Sequence, residues 1–257
     1  MQKGRRRGFL ATYMHQTATH FHTHNPNHFI TPMICVAGAV ADHLLATMLE
    51  GRTLDKAYIN NGGDIALYLA AGQSLDVGVC ANPLNGSLAS KAEITVDSGI
   101  GGIATSGWRG RSHSLGIADA VTVLAKDAAT ADTAATLIAN ATDLPGHAAI
   151  QREPACELQP DSDLGERLVT TAVAELSMDE IEQALEPGQK LAQQMIDRSD
   201  VVAVYGSLQS GSFSVPFDCA QGTGPLVALH QHSAACIERS RNEHSRSPLI
   251  VKEAIHA

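Results

Sequence analysis

The apolar residues of this chain recur at two spacings, one typical of helices and the other typical of strands. From Val36 to Met48 they follow the period of about 3.6 residues that marks one face of a helix. Thr31 is a suitable N-cap, Pro32 favours the first turn, and Gly51 is a typical stop. The pattern therefore predicts a helix between Thr31 and Gly51.

Two further helices are predicted downstream. An alanine-rich segment with helical spacing covers residues 128–140. Ser177 and Glu180 have the spacing of a capping box, which predicts the start of another helix. We expect this second helix to end near Arg198 and to break or kink at Pro187.

Alternating apolar and polar positions predict strands in both halves of the chain. Several neighbouring strands are separated by the short intervals typical of hairpins, and no GxGxxG sequence opens a strand–helix unit. The order of elements favours an α+β fold, with antiparallel sheets covered by helices, over a doubly wound parallel sheet. The predicted strands are residues 57–60, 65–69, 76–80, 92–96, 118–125, 168–176, 201–205 and 213–217, with a short one ending at Ser106.

The pattern divides the chain into three parts. Residues 1–27 lack a sustained period and are expected to be a loosely ordered, His-rich arm, residues 28–218 an α+β domain, and residues 219–257 an irregular tail. A metal site is the alternative interpretation of the histidines, but no cysteine or carboxylate joins them in the arm. The histidines in or beside the arm are His15, His20, His22, His24 and His28.

Composition limits the classes of partner. The chain has 257 residues, of which 44% are hydrophobic, enough for a globular core. Its 18 Lys and Arg against 27 Asp and Glu give a net charge of −9, which disfavours nucleic acid as a partner. We see no apolar run near the ~18 residues of a membrane span, and therefore expect no membrane partner and a cytoplasmic location. The 5 cysteines, without a CxxC pair, are typical of reduced thiols.

A carboxylate and a hydroxyl share one face of the predicted helix at residues 128–140. Asp132 and Thr136 are four residues apart, a spacing that places two helical side chains next to each other. Both offer hard oxygen donors, which Mg²⁺ prefers. The pair therefore predicts a Mg²⁺ site.

The sequence SGWRGRSHS concentrates hydroxyls, glycines and two arginines, Arg109 and Arg111. Backbone N–H groups beside guanidinium groups form an anion-binding nest that suits a phosphate. A solvated basic loop is the alternative. Because alternate loop residues often point apart, we expect one arginine to reach the phosphate, and we favour Arg109 because it follows the Ser-Gly turn most closely.

Two other features each have two interpretations. Gly62 and Gly63 interrupt a strand pattern, which marks either a β-bulge or a point where a ligand approaches the backbone. Asp42 interrupts an apolar run, and it is either the edge of an amphipathic helix or a polar group directed at a site. From pattern alone the helix edge is favoured.

Four segments between Ile34 and Asn140 resemble the ApbE family, in that family's order. They are VAGAVADHLLATMLEG, AYINNGGDIALYL, IATSG and AVTVLAKDAATADTAATLIAN. The chain as a whole is similar to an uncharacterised, shortened branch of this superfamily, through FITPM, NNGGDIAL, GIATSGWRGRS, SLGIADAVTVLA and DSDLG.

This resemblance implies a duplicated T-fold and Mg²⁺-dependent handling of FAD. ApbE enzymes split the FAD pyrophosphate and attach FMN to a Thr or Ser of a partner protein. The implied metal ligands are Asp132, Thr136 and the backbone carbonyl of Asn61. Asp42 and Arg109 are the expected catalytic residues. The expected contacts of the FAD or FMN nucleotide are Asn60, Gly62, Gly63, Asp64, Thr105, Ser106, Gly107 and Arg111.

The chain departs from the ApbE pattern in two places. Only WRGRSHSLGIADA lies where ApbE proteins have a longer segment with a His-Ile-x-x-Pro motif, so His113 does not match the family histidine. The N-terminal substrate-binding strand region of typical ApbE members is either absent or replaced by the His-rich arm. Three functions therefore stay open: an enzyme that acts on FAD or a similar nucleotide, a non-catalytic flavin or nucleotide binder, and a metal-binding scaffold that acts through a partner protein. A homo-oligomer is compatible with each.

Overall fold

A six-stranded antiparallel sheet forms the centre of this computed structural model, which describes residues 3–82, 87–215, 230–231 and 250–251. The helices are α1 (Lys3–His24), α2 (Val36–Leu49), α3 (Ala128–Ala141), α4 (Ala155–Leu158) and α5 (Met178–Asp197), and a 3-10 turn (Pro32–Cys35) leads into α2. The strands are β1 (Lys56–Asn61), β2 (Asp64–Leu69), β3 (Ser74–Asn82), β4 (Ser87–Thr95), β5 (Gly102–Ser106), β6 (Ala120–Ala125), β7 (Ile150–Pro154), β8 (Leu168–Val173), β9 (Ala203–Leu208), β10 (Gly211–Val215), β11 (His230–Gln231) and β12 (Ile250–Val251).

The central sheet has the order β1-β2-β5-β6-β9-β10, and all neighbouring strands in it are antiparallel. Helices α2, α3 and α5 pack against successive strand pairs of this sheet. The predicted α+β class, with antiparallel sheets covered by helices, is therefore confirmed. A helix followed by a hairpin occurs at each edge, as α2-β1-β2 and α5-β9-β10. The duplicated T-fold, which this repetition supports, stays a prediction.

Alternate residues of the central strands enter two different cores. Ile65 and Ile103 pack with Val77 of the β3–β4 hairpin on one side of the sheet. Val121 and Val204 pack with residues of α3 and α5 on the other side. The position of a residue within its strand thus decides whether it reaches the hairpin side or the helix side.

The predicted helix starts agree with the structure. Thr31 Oγ1 accepts a hydrogen bond from the N–H of Met33 at 3.2 Å, as an N-cap does. Ser177 and Glu180 form a capping box with both reciprocal bonds present. These local sequence signals therefore predicted the starts of two helical segments correctly.

Helix α5 is continuous through Pro187, so it does not break there, and the predicted alternative of a kink stays a prediction. Leu185 and Leu191, on either side of the proline, are buried in the same core. Packing of both halves against one core favours a single helix despite the backbone hydrogen bond that proline cannot donate.

The N-terminal segment is not a loosely ordered arm, because α1 covers Lys3–His24. Met14, Ala18 and Phe21 are buried, and Phe21 is only 1% exposed. Their spacing of four and three residues places them on one helical face, which packs into the cores beside α2 and α3. His20 Nε2 pairs with Oδ1 of Asp200 at 2.7 Å, and the His20 ring lies 4.9 Å from that of His24. The sequence analysis did not identify the buried face of α1 because polar residues surround it.

The predicted irregular tail at residues 219–257 lies outside the described residues, apart from β11 and β12. Strand β11 pairs with β4, and β12 pairs with β3. The domain boundaries at residues 28 and 218 stay predictions.

One apolar segment is longer than the sequence analysis predicted. Pro32–Leu49 has 18 residues and a mean hydropathy of 1.6, so it is long and apolar enough to cross a membrane by length and composition. In the structure, α2 contacts α3, β1 and β2, and 28% of the segment Pro32–Leu49 is buried. The expectation that no run of this length is present is therefore wrong.

Candidate functional site

Helices α2 and α3 approach each other closely at Gly38. A β-carbon here would lie 2.3 Å from the carbonyl oxygen of Ala128, so a larger residue would push the helices apart. The N–H of Gly38 donates a hydrogen bond to Oδ2 of Asp132 at 3.0 Å. The side-chain amide of Asn61 donates to the carbonyl oxygen of Ala37, also at 3.0 Å. The start of α2 therefore brings Asn61 of β1 and Asp132 of α3 to the same place.

Thr136 lies one helical turn after Asp132 on α3. Its Oγ1 donates a hydrogen bond to Oγ of Ser106, the last residue of β5, at 3.4 Å. All three residues are of intermediate exposure. The structure thus brings Ser106 to the predicted Asp132–Thr136 pair, whose role in metal binding stays a prediction.

The β1–β2 turn brings Asp64 and Arg111 towards the same place. Asn61 pairs with Asp64, which leaves Gly62 and Gly63 as a two-residue hairpin turn with φ of +75° and +116°. The interruption of the strand pattern is therefore a tight turn and not a bulge. The guanidinium group of Arg111 lies against Gly62, where a β-carbon would be 1.6 Å from its Nη2.

Five side chains form what we call the polar cluster: Asp64, Ser106, Arg111, Asp132 and Thr136. Burial raises the pKa of Asp64, and the positive charge of Arg111 opposes that rise. Burial also raises the pKa of Asp132 well above its usual value, and the charge of nearby Asp64 raises it further. The two carboxyl groups therefore disfavour each other's ionised form, an arrangement that a cation stabilises.

Asp42 has a structural role, and its assignment as a catalytic residue stays a prediction. Its Oδ1 accepts a hydrogen bond from the N–H of Ala128 at 3.0 Å, and its Oδ2 accepts one from the N–H of Ala129 at 2.9 Å. The hydroxyl of Tyr13 on α1 donates to the same Oδ2 at 2.9 Å. Asp42 therefore caps the first turn of α3 from a neighbouring helix, and both of its oxygens are already in use.

Arg109 is held by a buried carboxylate, and its assignment as a catalytic and phosphate-binding residue stays a prediction. Its Nε donates to Oδ1 of Asp119 at 2.6 Å, and Nε1 of Trp108 donates to the same oxygen at 3.1 Å. The N–H of Gln209 donates to Oδ2 of Asp119 at 2.6 Å. Arg109 thus neutralises a buried charge, whereas Arg111 is the arginine at the polar cluster.

Thr105 and Asn60 lie apart from the polar cluster because strand residues alternate between the faces of a sheet. Thr105 Oγ1 shares a hydrogen bond of 2.9 Å with Thr122 Oγ1 on the hairpin side, whereas Ser106 is on the helix side. Asn60 Oδ1 accepts a hydrogen bond from the N–H of Gly63 at 2.9 Å, which stabilises the hairpin turn. The predicted cofactor contacts of these two side chains are therefore not supported.

Gly63 and Gly107 shape the backbone around the cluster. A β-carbon at Gly107 would lie 2.5 Å from the carbonyl oxygen of Asp119, and φ at this glycine is +157°. Gly63 is buried in the β1–β2 turn with a positive φ. Both positions require glycine for steric reasons, and a cofactor contact from either stays a prediction.

Sequence reasoning missed Asp119 and Tyr13. Asp119 follows Ile117 and Ala118 and precedes Ala120 and Val121, so it is a single acidic residue in an apolar run. A single acidic residue in an apolar run is usually buried with a partner, so this pattern could have identified Asp119.

Tyr13 could not be identified from the sequence because its partner Asp42 is 29 residues away in the chain.

The donor groups of the polar cluster are of the kinds that a hard divalent cation binds. No group of three His, Cys, Asp or Glu suited to a metal ion occurs among the residues that the structure describes. Asp64 and Asp132 supply two carboxyl groups, and Thr136 supplies a hydroxyl. Mg²⁺ commonly takes one or two carboxylates and fills its remaining positions with water and phosphate. The donors therefore suit a Mg²⁺ ion that binds together with a phosphate ligand.

Known proteins show similarity over part of the chain. A 40% identical UPF0280 protein of Methanococcus vannielii matches over 114 residues, which are 43% of this chain and 45% of that protein. A UPF0280 protein of Methanothrix thermoacetophila is 41% identical over 115 residues, 44% of this chain and 46% of its own. One of Methanopyrus kandleri is 40% identical over 129 residues, 48% of each chain. The chain spans about half the length of the curated relatives it matches.

A family model described as AbpE bacteria matches residues 1–215. This match includes α1 and every residue of the polar cluster, and it supports an ApbE-related family, whereas the individual motifs and the shortened branch stay predictions. Since it covers most of the 257 residues, the chain belongs to the AbpE bacteria family.

Proposed function

We propose that this protein binds a divalent cation, Mg²⁺ by the chemistry of its donors, together with a nucleotide that contains a pyrophosphate, and that it acts on FAD or a related nucleotide. The observation that supports this proposal best is the pair of neighbouring carboxyl groups, Asp64 and Asp132, with Arg111 beside them. Acidic groups and a guanidinium group at one place suit a ligand that combines a cation with an anion.

The proposed cation ligands are Asp132, Asp64 and Thr136. Asp132 is oriented by the N–H of Gly38, and Thr136 by its contact with Ser106. A divalent cation at this place supplies positive charge that stabilises a phosphate leaving group. The backbone carbonyl of Asn61 stays a proposed further ligand, because the Asn61 side chain is fixed against α2.

Arg111 is the proposed phosphate-binding side chain. It is exposed, whereas Arg109 is bound to Asp119. A pyrophosphate carries more negative charge than one divalent cation neutralises, so a guanidinium group beside the cation complements it. The phosphate would then lie between Arg111 and the cation ligands.

The choice of FAD rests on the family and on the ApbE-like motifs. In FMN transfer, a hydroxyl oxygen of an acceptor protein forms a bond to the FMN phosphorus, and the pyrophosphate bond of FAD breaks. AMP leaves with the bridging oxygen, and the hydroxyl proton passes to solvent. When water replaces the acceptor hydroxyl, the products are FMN and AMP.

Incubation of the purified full chain with FAD and Mg²⁺, followed by chromatographic separation of AMP and FMN, tests the proposal. Wild type should release AMP, and omission of Mg²⁺ or the substitution Asp132→Asn should abolish the release. Asp97→Asn, a change of an exposed carboxylate outside the cluster, is the matched control and should leave the release unchanged. FAD binding without AMP release would favour the non-catalytic binder, and no FAD binding with Mg²⁺ would contradict the nucleotide proposal.

A further inference from the structure

We infer that Gly62 is a positioning residue for Arg111. Because Gly62 has no side chain, the guanidinium group of Arg111 can lie against it, in the position from which it recognises the anion. This inference rests on the proposed function, because it concerns the arginine assigned to the phosphate. Recognition of the anion then requires glycine at position 62 in the β1–β2 turn, in addition to Arg111 in the segment between β5 and β6.

The contact between Gly62 and Arg111 carries the inference. A β-carbon at Gly62 would lie 1.6 Å from Nη2 of Arg111 and 2.9 Å from its Cζ. The guanidinium group therefore occupies the space in which every other amino acid has its β-carbon. Gly62 belongs to the hairpin between β1 and β2, whereas Arg111 belongs to the segment between β5 and β6. The contact thus joins two segments that are distant along the chain.

The segment that carries Arg111 is fixed close to this side chain. Asp119 accepts hydrogen bonds from Nε1 of Trp108 and from Nε of Arg109. The N–H of Gly110 donates to the carbonyl oxygen of Gly107 at 3.0 Å, which closes a turn just before Arg111. A fixed backbone leaves the long Arg111 side chain as the mobile part, so its position depends on what it contacts at the far end.

A second observation places the charge of Arg111 near the acidic pair. The positive charge of Arg111 acts to lower the pKa of Asp64, against the effect of burial. Asp64 in turn is close enough to Asp132 to raise the pKa of that residue. Held against Gly62, the guanidinium group is therefore near Asp64, whose charge in turn acts on Asp132, as a phosphate bound jointly by Arg111 and a cation requires.

Gly62→Ala should displace the guanidinium group with little other change. The new methyl group would meet the end of a flexible side chain and not the backbone, so Arg111 can move away from it. Alanine at this position also has to adopt φ near +75°, which L-residues disfavour. Gly72 is a matched control, because its φ is +79° and no atom lies within 4 Å of the position of its β-carbon. Gly72→Ala therefore introduces the same backbone strain without displacing an arginine.

Calorimetric titration of inorganic pyrophosphate in the presence of Mg²⁺ tests the inference on the full chain. The proteins are wild type, Gly62→Ala, Gly72→Ala, Arg111→Ala and the Gly62→Ala/Arg111→Ala double variant. Arg111→Ala should weaken binding roughly 10- to 100-fold, as expected for loss of a charged hydrogen bond. Gly62→Ala should weaken it to a similar degree, and Gly72→Ala should bind as wild type. Thermal unfolding should show similar losses of stability for the two glycine variants.

The double variant separates positioning from general damage to the fold. If Gly62 acts through Arg111, Gly62→Ala has no further effect once Arg111 is alanine. Equal binding by wild type and Gly62→Ala, or an equally large effect of Gly62→Ala in the Arg111→Ala background, overturns the inference and leaves the proposed function standing. If wild type binds no pyrophosphate with Mg²⁺, the nucleotide proposal and this inference fail together.

Discussion

The N–H of Gly38 on α2 donates a hydrogen bond to Oδ2 of Asp132 on α3, over a distance of 3.0 Å. This bond forms only when the two helices are closely packed, and it orients a carboxyl group of the polar cluster. The close approach that it requires is possible because position 38 has no β-carbon, which would lie 2.3 Å from the carbonyl oxygen of Ala128. A change at Gly38 should therefore affect stability and cation binding together.

Gly38→Ala should destabilise the protein by about 1–3 kcal/mol, the usual range for overpacking a tight contact. Its methyl group would meet backbone atoms of α3, which cannot rotate away as a side chain can. Denaturant unfolding measures the loss. Gly8→Ala is the control, because Gly8 is an exposed residue of α1 with open space around it, and alanine there should stabilise by about 0.5–1 kcal/mol. Equal stability of wild type and Gly38→Ala would contradict the close contact.

Asp42→Ala should lower stability by about 1–3 kcal/mol, since it leaves the N–H groups of Ala128 and Ala129 without the carboxylate that caps them. Asp42→Asn should cost less because its one carbonyl oxygen still accepts a hydrogen bond. Tyr13→Phe removes only the hydroxyl that donates to Asp42. Thermal unfolding of the three variants checks this order. Loss of AMP release from FAD with unchanged stability in Asp42→Ala would instead support the catalytic assignment.

Deletion of residues 1–27 should destabilise the protein strongly, because α1 contributes Met14, Ala18 and Phe21 to the cores. A single substitution gives a cleaner measurement. Phe21→Ala should cost about 3–5 kcal/mol, whereas His22→Ala, at an exposed neighbouring position, should stay within about 0.5 kcal/mol of wild type. Similar unfolding midpoints for the two variants would show that α1 does not pack as described.

The capping box of α5 should make stability dependent on pH. Hydrogen bonds from the backbone and hydroxyl of Ser177, and from His147, lower the pKa of Glu180 in the folded protein. A carboxyl group with a lowered folded pKa contributes stability above its unfolded pKa, and that contribution is lost as pH falls through the folded value. Glu180→Gln should therefore reduce the loss of stability on acidification below the ordinary glutamate pKa. Glu182→Gln, on the same helix outside the box, should keep the wild-type dependence.

Local signals in the sequence predicted much of the fold. The Thr31 and Ser177 caps and the alternating pattern of the central strands are local features, and the structure agrees with them. At Pro187 local reasoning left a break and a kink open, and packing on both sides of the proline keeps α5 continuous. The buried face of α1 was readable from the spacing of Met14, Ala18 and Phe21, but its polar surroundings obscured it.

The candidate site was predictable only in part. Asp132 and Thr136 could be paired because helical spacing is local. The partners of Arg109 and Asp42 could not be predicted, since Asp119 and the start of α3 reach them through the tertiary fold. For the same reason the sequence did not distinguish Arg111, beside Gly62, from Arg109. Once the strand was assigned, the alternation of its residues between the two faces of the sheet could have placed Thr105 and Ser106 on opposite faces.

The most direct test of the central claim is calorimetric titration of Mg²⁺ into wild type and Asp132→Asn without nucleotide. Asparagine keeps the size of the side chain and an oxygen for the N–H of Gly38, so the helix contact should survive while the charge is lost. Asp97→Asn, which changes an exposed carboxylate outside the polar cluster, is the control. The account predicts saturable Mg²⁺ binding in wild type and Asp97→Asn and its loss in Asp132→Asn. Equal Mg²⁺ affinity in all three proteins, or no binding in wild type, would contradict it.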